Sequence, residues 1–370
     1  MTIYFVAGEA SADNHGAALM QALRRSDVDL TFVGRGGPQM KAIAGGRFNN
    51  WIDKAGVLGL WEVIKQYAYF RQQFTETLGE VAQSKPDAVV LIDYPGFNLR
   101  LAQALHRQKA ARKIIYYISP QVWAWNRGRI KKMARWLDLM LCIFPFEPEL
   151  YSAAGLRAKF VGHPMIDRLR DAHGEVERDR NLVGFFPGSR LREVRKIFPL
   201  VIETARELRR AKMNLRFEVA AASPDLATAM EQMCDRQDVD LTIKTGETNA
   251  IMQRAFIGVV ASGSATLEAA YFHLPFVLVY KVAWPTYLAA RLVVAVKYLG
   301  MPNVIAGREV VPEFIQHRAR PRPIAHAVLR LFNDKTGRDR MISEFDSVVA
   351  RLGEGGASDR AAEAILDELA

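Results

Sequence analysis

The stretch from Ser262 to Glu268, Ser-Gly-Ser-Ala-Thr-Leu-Glu, has the residue types of an anion-binding turn with a carboxylate beside it. It follows the apolar run 257–261 and opens a predicted helix that Ser262 or Ser264 would cap. Unpaired N–H groups at a helix start favour a phosphate. Glu268 would repel a phosphate but can accept two hydrogen bonds from a ribose. The stretch therefore predicts a nucleoside diphosphate site, unless Glu268 only stabilises the helix start.

A second predicted strand-to-helix turn, Pro187-Gly-Ser-Arg190, has matching chemistry. Gly188 and Ser189 can offer backbone N–H groups, and Arg190 can pair with a diphosphate through two hydrogen bonds. The same guanidinium would stabilise the charge on a departing nucleoside diphosphate. Both turns are expected at one edge of one sheet, so together they predict a nucleotide site.

Asp93 ends a predicted strand and precedes the turn Tyr94-Pro-Gly96. A carboxylate at the carboxyl end of a parallel strand can take a proton from a substrate hydroxyl as a general base. The alternative is an aspartate that only forms the turn. His15, near the first predicted turn, is a second candidate base, and its alternative is a helix surface residue.

Two tryptophans and two aspartate pairs also have side chains that could bind a ligand or a metal. Trp123 and Trp125 follow a predicted strand, and the faces of their rings could contact sugar rings or acyl chains. The alternative is that both rings pack beneath a loop. The pairs Asp27-Val-Asp29 and Asp238-Val-Asp240 stand before predicted strands, away from the expected ligand edge. They predict connecting loops, so we expect neither a metal nor a cofactor.

Strand-like and helix-like segments alternate along the chain and predict an α/β fold of two doubly wound parallel sheets facing a central cleft. The expected domains are 1–167 and 168–345, separated by a charged stretch. A C-terminal helix is expected within 346–370, with Ser358 as its cap. This helix could pack back on the first domain. The predicted strands are 3–7, 30–33, 88–93, 113–118, 139–143, 159–161, 182–186, 215–220, 241–243, 257–261 and 276–280. The residues 8–13 are expected to form a turn, and Pro199 to break the helix 193–209 or start a new one.

Composition limits the function classes. Of 370 residues, half are hydrophobic and 24% are charged, as in a globular chain of two domains. Cys142 and Cys234 lack metal-ligand spacing and are expected to be buried in a reducing compartment. We expect no signal peptide and no spanning helix. The net charge of +10 suits a phosphorylated substrate or an anionic membrane, and dispersed basic residues without a recognition motif predict no nucleic-acid partner.

Two segments, 57–71 and 287–301, are apolar and aromatic with basic residues interleaved. Each fits a helix in a membrane interface or an ordinary core-facing helix. In the first interpretation Lys65, Arg71, Arg291 and Lys297 would lie near lipid headgroups.

Eight motifs between residues 8 and 303 together resemble the lipid-A-disaccharide synthase family. They are Gly8-Glu-Ala-Ser11, Ile92-Asp-x-Pro-x-Phe-Asn98, Ser119-Pro-x-Val-Trp-Ala-Trp125, Phe144-Pro-Phe-Glu147, Val161-Gly-His-Pro164, Pro187-Gly-Ser-Arg190, Ala261-Ser-Gly-x-Ala-Thr-Leu-Glu-Ala269 and Pro302-Asn303. The resemblance implies an inverting, metal-independent glycosyltransferase of the GT-B type, peripheral on the cytoplasmic face of the Gram-negative inner membrane. Such an enzyme joins UDP-2,3-diacylglucosamine to 2,3-diacylglucosamine 1-phosphate in a β-1,6 linkage and releases UDP. A UDP-sugar 2-epimerase and a non-catalytic lipid-binding protein are the alternatives.

The resemblance also implies residue roles. Asp93 would be the base for the acceptor 6-hydroxyl, and Arg190 would assist departure of UDP. The implied donor-binding residues are Gly188, Ser189, Arg190, Ser262, Gly263, Ser264, Thr266, Glu268 and Asn303. The implied acceptor-binding residues are Glu9, Ser11, Asn98, Trp123 and Trp125. The implied membrane-contacting residues are Val57, Leu58, Leu60, Trp61 and Ile64.

The chain departs from the family pattern at three places. The family usually has glycine where Ala12 stands, and a left-handed backbone there would strain an alanine. It often has aspartate where Gly96 stands, so that position offers no second carboxylate. Asn14 and His15 stand where apolar residues are expected.

Overall fold

A computed structural model of the chain describes residues 1–26, 29–52, 62–170, 172, 174, 176–234 and 240–370. Those residues form two compact units. The first contains Met1–Asp167 and Leu352–Ala370, and the second contains Arg168–Arg351. Each is built around one parallel sheet, so the predicted fold class of two doubly wound α/β domains is confirmed.

The first unit has a seven-stranded sheet in the order β3-β2-β1-β4-β5-β6-β7. Its strands are β1 (Thr2–Ala7), β2 (Thr31–Gly36), β3 (Phe48–Asn50), β4 (Ala88–Ile92), β5 (Lys113–Tyr117), β6 (Leu139–Cys142) and β7 (Ala158–Phe160). Its helices are α1 (Ala10–Ser26), α2 (Pro38–Ala44), α3 (Glu62–Ser84), α4 (Pro95–Gln108), α5 (Val122–Trp125), α6 (Gly128–Trp136) and α7 (Glu147–Ser152), with α8 (Met165–Arg170) at the division between units. All of β4 is buried, as expected of a strand covered on both faces.

The second unit has a six-stranded sheet in the order β10-β9-β8-β11-β12-β13. Its strands are β8 (Asp179–Phe186), β9 (Arg216–Ala221), β10 (Thr242–Thr245), β11 (Ala255–Ala261), β12 (Phe276–Tyr280) and β13 (Glu313–Ile315). Its helices are α9 (Leu191–Ala211), α10 (Pro224–Cys234), α11 (Thr248–Arg254), α12 (Ala265–Tyr271), α13 (Trp284–Val293), α14 (Met301–Ala306), α15 (Pro321–Asn333) and α16 (Lys335–Ala350). A short 3₁₀ helix covers Gln316–Arg318.

The C-terminal helix (Ala357–Leu369) packs within the first unit. Its buried Glu368 pairs with Lys113 at 2.6 Å and with Arg157 at 2.8 Å. Its start is capped by Asp167, which accepts hydrogen bonds from the N–H groups of residues 356 and 357. The predicted Ser358 cap is therefore wrong, because a carboxylate distant in sequence occupies that role.

Other local predictions need correction. The expected turn over 8–13 is wrong, because α1 begins at Ala10. Pro199 does not break α9. It lies on the exposed side of that helix, where the backbone carbonyl that loses its N–H partner can bond water.

The apolar segment 287–301 is not one helix, since α13 ends at Val293 and α14 begins at Met301. Cys142 is buried as predicted, but Cys234 is partly exposed. Over the ranges that the structure describes, no helix is both long and apolar enough to cross a membrane.

Candidate functional site

The strand order of the first sheet reverses between β1 and β4, and the loops that follow these two strands hold candidate residues. Ala7 pairs in register with Ile92, so the chain leaves both strands at the same edge. Glu9 is exposed just beyond β1, and Asp93 is half-buried just beyond β4. Ligands of doubly wound sheets bind at such reversal points, outside the carboxyl ends of the strands. This edge therefore places two carboxylates at the position expected of a ligand site.

The backbone at Asp93 adopts an unusual conformation that its neighbours stabilise. Asp93 and Tyr94 have positive φ angles of 46° and 50°, in the left-handed region. The carbonyl of Asp93 accepts hydrogen bonds from Asn98 Nδ2 at 2.8 Å and from the Tyr116 hydroxyl at 2.5 Å. Strained backbone of this kind persists only where the surrounding structure fixes it, and it is concentrated at functional sites.

Close packing brings the loop after β1 against the loop after β4. A Cβ atom at Gly8 would lie only 2.2 Å from the Tyr94 ring, so only glycine fits there. The Tyr94 pKa is raised by burial and by the negative charge of Glu9, which lies close to it. The Tyr116 pKa is raised by burial and by the charge of Asp93. Glu9 thus lies near the half-buried Tyr94 phenol, and Asp93 near the buried Tyr116 phenol.

The second sheet reverses its order between β8 and β11, and both predicted turns follow these strands. Phe186 pairs with Val260, so the two turns begin side by side. Gly188 has φ 112°, a conformation that favours glycine. Arg190 is 74% exposed at the start of α9, and its pair with Glu193 is long at 3.4 Å. Its guanidinium is therefore available to an anion at this edge.

The turn from Ser262 to Glu268 is more self-contained than the sequence predicts. Ser264 precedes α12 but makes no side-chain cap, and so does not have the predicted capping role. The hydroxyl of buried Thr266 donates to the Gly263 carbonyl at 2.8 Å. Glu268 pairs with Arg168 at 2.6 Å through one oxygen. That contact uses Oε1, and among the described residues no hydrogen bond is found to the second carboxylate oxygen.

The sequence matches a family model described as lipid-A-disaccharide synthetase over residues 3–363. The chain belongs to the lipid-A-disaccharide synthase family. A lipid-A-disaccharide synthase from Geobacter sulfurreducens is 36% identical over 377 residues, covering 99% of this chain and 97% of its own. Family membership makes the chain an enzyme, a glycosyltransferase of lipid A disaccharide synthesis.

Solved structures agree on the fold. A UDP-GlcNAc 2-epimerase from Neisseria meningitidis, bound to UDP-GlcNAc, has a TM-score of 0.64 at 11% identity, with 99% of each chain covered. The glycosyltransferase of kitacinnamycin has a TM-score of 0.60 at 14% identity, covering all of this chain and 99% of its own. At these identities the likeness shows a shared two-domain α/β fold and does not extend to the reaction.

The structure brings the predicted family residues into two groups, one at the edge of each sheet. Glu9, Ser11 and Asp93 belong to the first unit, whereas Arg190 and Glu268 belong to the second. Ser11, Ser189, Gly263 and Ser264 are exposed, while Gly188 and Ser262 are half-buried. Val57, Leu58, Leu60 and Trp61 lie outside the described residues, and Ile64 belongs to α3 without a described side chain. Among the residues that the structure does describe, no group of three His, Cys, Asp or Glu side chains could hold a metal ion.

The two tryptophans of the family motif have different placements. Trp123 is buried, and its indole N–H donates to Glu147 at 2.9 Å. A ring in that position packs inside the unit, so the prediction that Trp123 offers its face to a sugar needs correction. Trp125 is 43% exposed, with the Arg129 guanidinium 5.1 Å from its ring. Trp125 is therefore the member of the pair with an accessible face.

Glu147, of the family motif Phe144-Pro-Phe-Glu, is the buried acid behind this loop. Its second oxygen accepts the Phe144 N–H at 3.1 Å. Burial raises the pKa of Glu147 to about 7, although the hydrogen bonds from the Phe144 and Trp123 N–H groups favour the carboxylate. Sequence inspection assigned Glu147 no role, although its place in a motif was a usable signal.

We expect Glu147→Gln to change how stability depends on pH. The folded pKa lies above the unfolded one, so the carboxyl group contributes stability below about pH 4.5 that is lost as pH rises through about 7. The free energy of unfolding of the wild type, relative to the variant, should fall by roughly 3 kcal/mol over that interval. Denaturant unfolding at several pH values measures this difference.

Glu149→Gln is the matched control for this experiment, since Glu149 is exposed on the same helix. The glutamine at 147 can still accept the Trp123 N–H, but it loses an acceptor for Phe144, at a cost of about 1 kcal/mol. A difference between wild type and variant that stays constant with pH would refute the assignment.

Two predicted ligand contacts, Asn98 and Asn303, are buried and have their amides engaged inside their own units. Asn98 donates to the carbonyls of Ile92 and Asp93, so it fixes the Asp93 loop. The Asn303 amide donates to Val311 and Glu313, and its oxygen accepts N–H groups of residues 310 and 311. The Asn303 side chain is fully engaged in holding its loop, whereas the buried Asn98 Oδ1 has no hydrogen-bond partner among the described residues. Direct contact of either side chain with a ligand stays a prediction.

Asp13, two residues after the first family motif, is a further residue to which the sequence pattern assigned no role. It is buried, and its carboxylate accepts N–H groups of Gly37, Gln39 and Met40 at 2.9–3.0 Å. Asp13 thus caps α2 from a neighbouring helix. Ala12 is helical and does not have a positive φ angle, so the expected strain is absent. His15 lies half-buried on α1.

Proposed function

We propose that the chain transfers a 2,3-diacylglucosamine unit from UDP to the 6-hydroxyl of 2,3-diacylglucosamine 1-phosphate. The product is the β-1,6-linked disaccharide 1-phosphate, and UDP is released. The observation that carries the proposal is Asp93, whose strained backbone is fixed by two hydrogen bonds at the reversal point of the first sheet. Family membership supplies the reaction class.

Asp93 acts as the general base in this proposal. Its carboxylate takes the proton of the acceptor 6-hydroxyl, and that oxygen forms a bond to the donor anomeric carbon. The bond from that carbon to the UDP oxygen breaks on the opposite face, so the configuration inverts. The electron pair leaves on the diphosphate. Glu9, Ser11 and the face of Trp125, all exposed, bind the acceptor around Asp93.

The second unit binds the donor in this proposal. Arg190 and the N–H groups of Gly188 and Ser189 hold the diphosphate at the start of the 21-residue helix α9. The turn of Ser262, Gly263 and Ser264 follows the adjacent strand and closes on the same anion. Glu268, oriented by Arg168, offers its second oxygen to the ribose. Asn303 and Thr266 hold the surrounding loops, which makes them positioning residues.

The decisive experiment for the reaction is incubation with both acylated sugars, followed by mass spectrometry of the lipid product. We expect UDP and a disaccharide 1-phosphate to form in equal amounts, and neither to form from the donor alone. Conversion of the donor alone to its C2 epimer, followed by NMR because the mass does not change, would instead support the epimerase alternative. Binding of both lipids without UDP release would support a non-catalytic protein.

We also propose that the chain is a peripheral protein on the cytoplasmic face of the inner membrane, where its lipid substrates lie. The segment with Val57, Leu58, Leu60, Trp61 and Ile64 supports this through its apolar and aromatic sequence with basic neighbours. Replacing Leu58 and Trp61 by serine should reduce co-sedimentation with vesicles by about tenfold or more, because each loses buried apolar area. Met213→Ser, at an exposed apolar residue elsewhere, is the control, and undiminished vesicle binding would assign the segment to the core.

A further inference from the structure

The second unit contains a cavity of about 530 Å³ that the nucleotide turns do not use. It lies at the carboxyl ends of β12 and β13, between Tyr280, Ile315 and the segment that follows α13. Its size is in the range of small-molecule sites. A cavity of this size at the carboxyl ends of parallel strands is a candidate binding site.

The frame of this cavity is fixed by buried hydrogen bonds. Glu313 accepts N–H groups of Leu299 and Gly300, at 2.8–3.1 Å, and so ties the segment after α13 to β13. Gln316 is buried and bonds both the N–H and the carbonyl of Val282 at 3.1 Å. These bonds hold both ends of the chain that forms the wall.

The cavity has a cationic mouth. Arg291, Lys297, His317 and Arg318 line it and are exposed, and no acidic side chain is among its described lining residues. Within the part of the chain that the structure describes, neither arginine nor Lys297 forms an ion pair. Unneutralised cations converging on one space favour an anionic occupant.

The remaining walls are apolar, and the adjoining helix exposes large apolar side chains to solvent. Val294, Val296, Leu299 and Ile315 line the cavity beside three tyrosine rings. On α13, Trp284 is 57% exposed and Leu288 59% exposed. Indole and leucine side chains next to cations are typical of surfaces that enter a lipid interface.

We propose that this cavity binds the head of an anionic lipid, while Trp284, Leu288 and Val294 insert into the surrounding lipid surface. The anion lies among Arg291, Lys297 and Arg318, and the first part of an acyl chain lies on the aliphatic wall. A small free anion would leave the exposed apolar side chains unexplained, whereas a lipid accounts for both features. None of the residues 188–190 and 262–268 is among the described residues that line the cavity, although Tyr280 on its wall lies near Arg190 at the same sheet edge. The site is also distinct in sequence from the segment around Leu58.

Vesicle co-sedimentation of the full chain tests the proposal, with phosphatidylcholine vesicles compared against vesicles that also contain phosphatidylglycerol. All variants carry Leu58→Ser and Trp61→Ser, so that the remaining binding reports on the second unit. The charge variant adds Arg291→Gln and Lys297→Gln, and the apolar variant adds Leu288→Ser. Lys335→Gln with Arg340→Gln, at exposed cations of the same unit, and Met213→Ser are the matched controls.

We expect the charge variant to lose about tenfold or more of its partitioning onto anionic vesicles, with little change on neutral ones. The apolar variant should lose binding to anionic vesicles too, while both controls and the thermal unfolding midpoint stay unchanged. Equal binding by charge variant and control would overturn the site, as would the absence of remaining binding in the starting variant. Full displacement from vesicles by millimolar inorganic phosphate at constant ionic strength would reassign the cavity to a free anion.

Discussion

Asp93→Asn is expected to lower kcat by about 10²- to 10⁴-fold with both lipid substrates saturating, because asparagine cannot accept the proton of the acceptor hydroxyl. The substitution suits this position, since asparagine tolerates the left-handed backbone that Asp93 adopts. The bonds from Asn98 and Tyr116 go to the main-chain carbonyl and survive the change. The KM of each substrate should therefore change less than kcat, as measured by disaccharide formation.

Gly96→Ala is the matched control for Asp93→Asn. Gly96 lies three residues away in the same motif, it is exposed, and a Cβ there meets no atom within 4 Å. Its turnover and thermal unfolding should match those of the wild type. If Asp93→Asn keeps near-full turnover while it remains folded, the base lies elsewhere, and Glu9 at the neighbouring strand end becomes the next residue to replace.

The sequence predicts strand positions well where a buried parallel strand produces an uninterrupted apolar run. β12 has the predicted bounds of 276 and 280, and β4 ends one residue before the predicted 93. The placement of Asp93 at a sheet edge follows from that pattern, because polar residues after a buried strand leave the sheet at its carboxyl end. The three-residue strands β3 and β13 were missed, since so short a segment carries no periodicity.

What the sequence could not predict is which motif residues contact a ligand and which support the loops that do. Trp123, Asn98 and Asn303 have the side chains of ligand contacts, yet all three are buried and bonded within their units. Their partners, such as Glu147 and Glu313, are distant along the chain or lie in short elements. Burial and hydrogen-bond satisfaction are tertiary properties, and a motif does not encode them locally. Asp13 illustrates the same limit, because its capping target is a different helix.

Arg190→Ala is expected to weaken UDP binding by about 10- to 100-fold, since a hydrogen bond to a charged group contributes roughly 1.5–3 kcal/mol. Arg190 is largely exposed, and its long pair with Glu193 contributes little, so folding stability should not change. A loss of UDP affinity without a loss of stability would thus reflect a lost contact with the diphosphate and not a folding defect. Titration calorimetry with UDP at two salt concentrations measures the effect.

Two further variants separate the geometry of Arg190 from the general positive charge of the chain. Arg192→Ala removes an exposed cation two residues along the same helix and should leave UDP affinity within about twofold. Arg190→Lys keeps the charge but loses the planar fork, so its affinity should fall between those of the wild type and Arg190→Ala. Equal affinity of Arg190→Ala and Arg192→Ala for UDP would reject the diphosphate contact. It would show that each arginine acts only through its share of the net charge of +10, which attracts UDP without a specific contact. A graded loss through lysine to alanine would instead require a directed contact at the start of α9, beside the turn after β11.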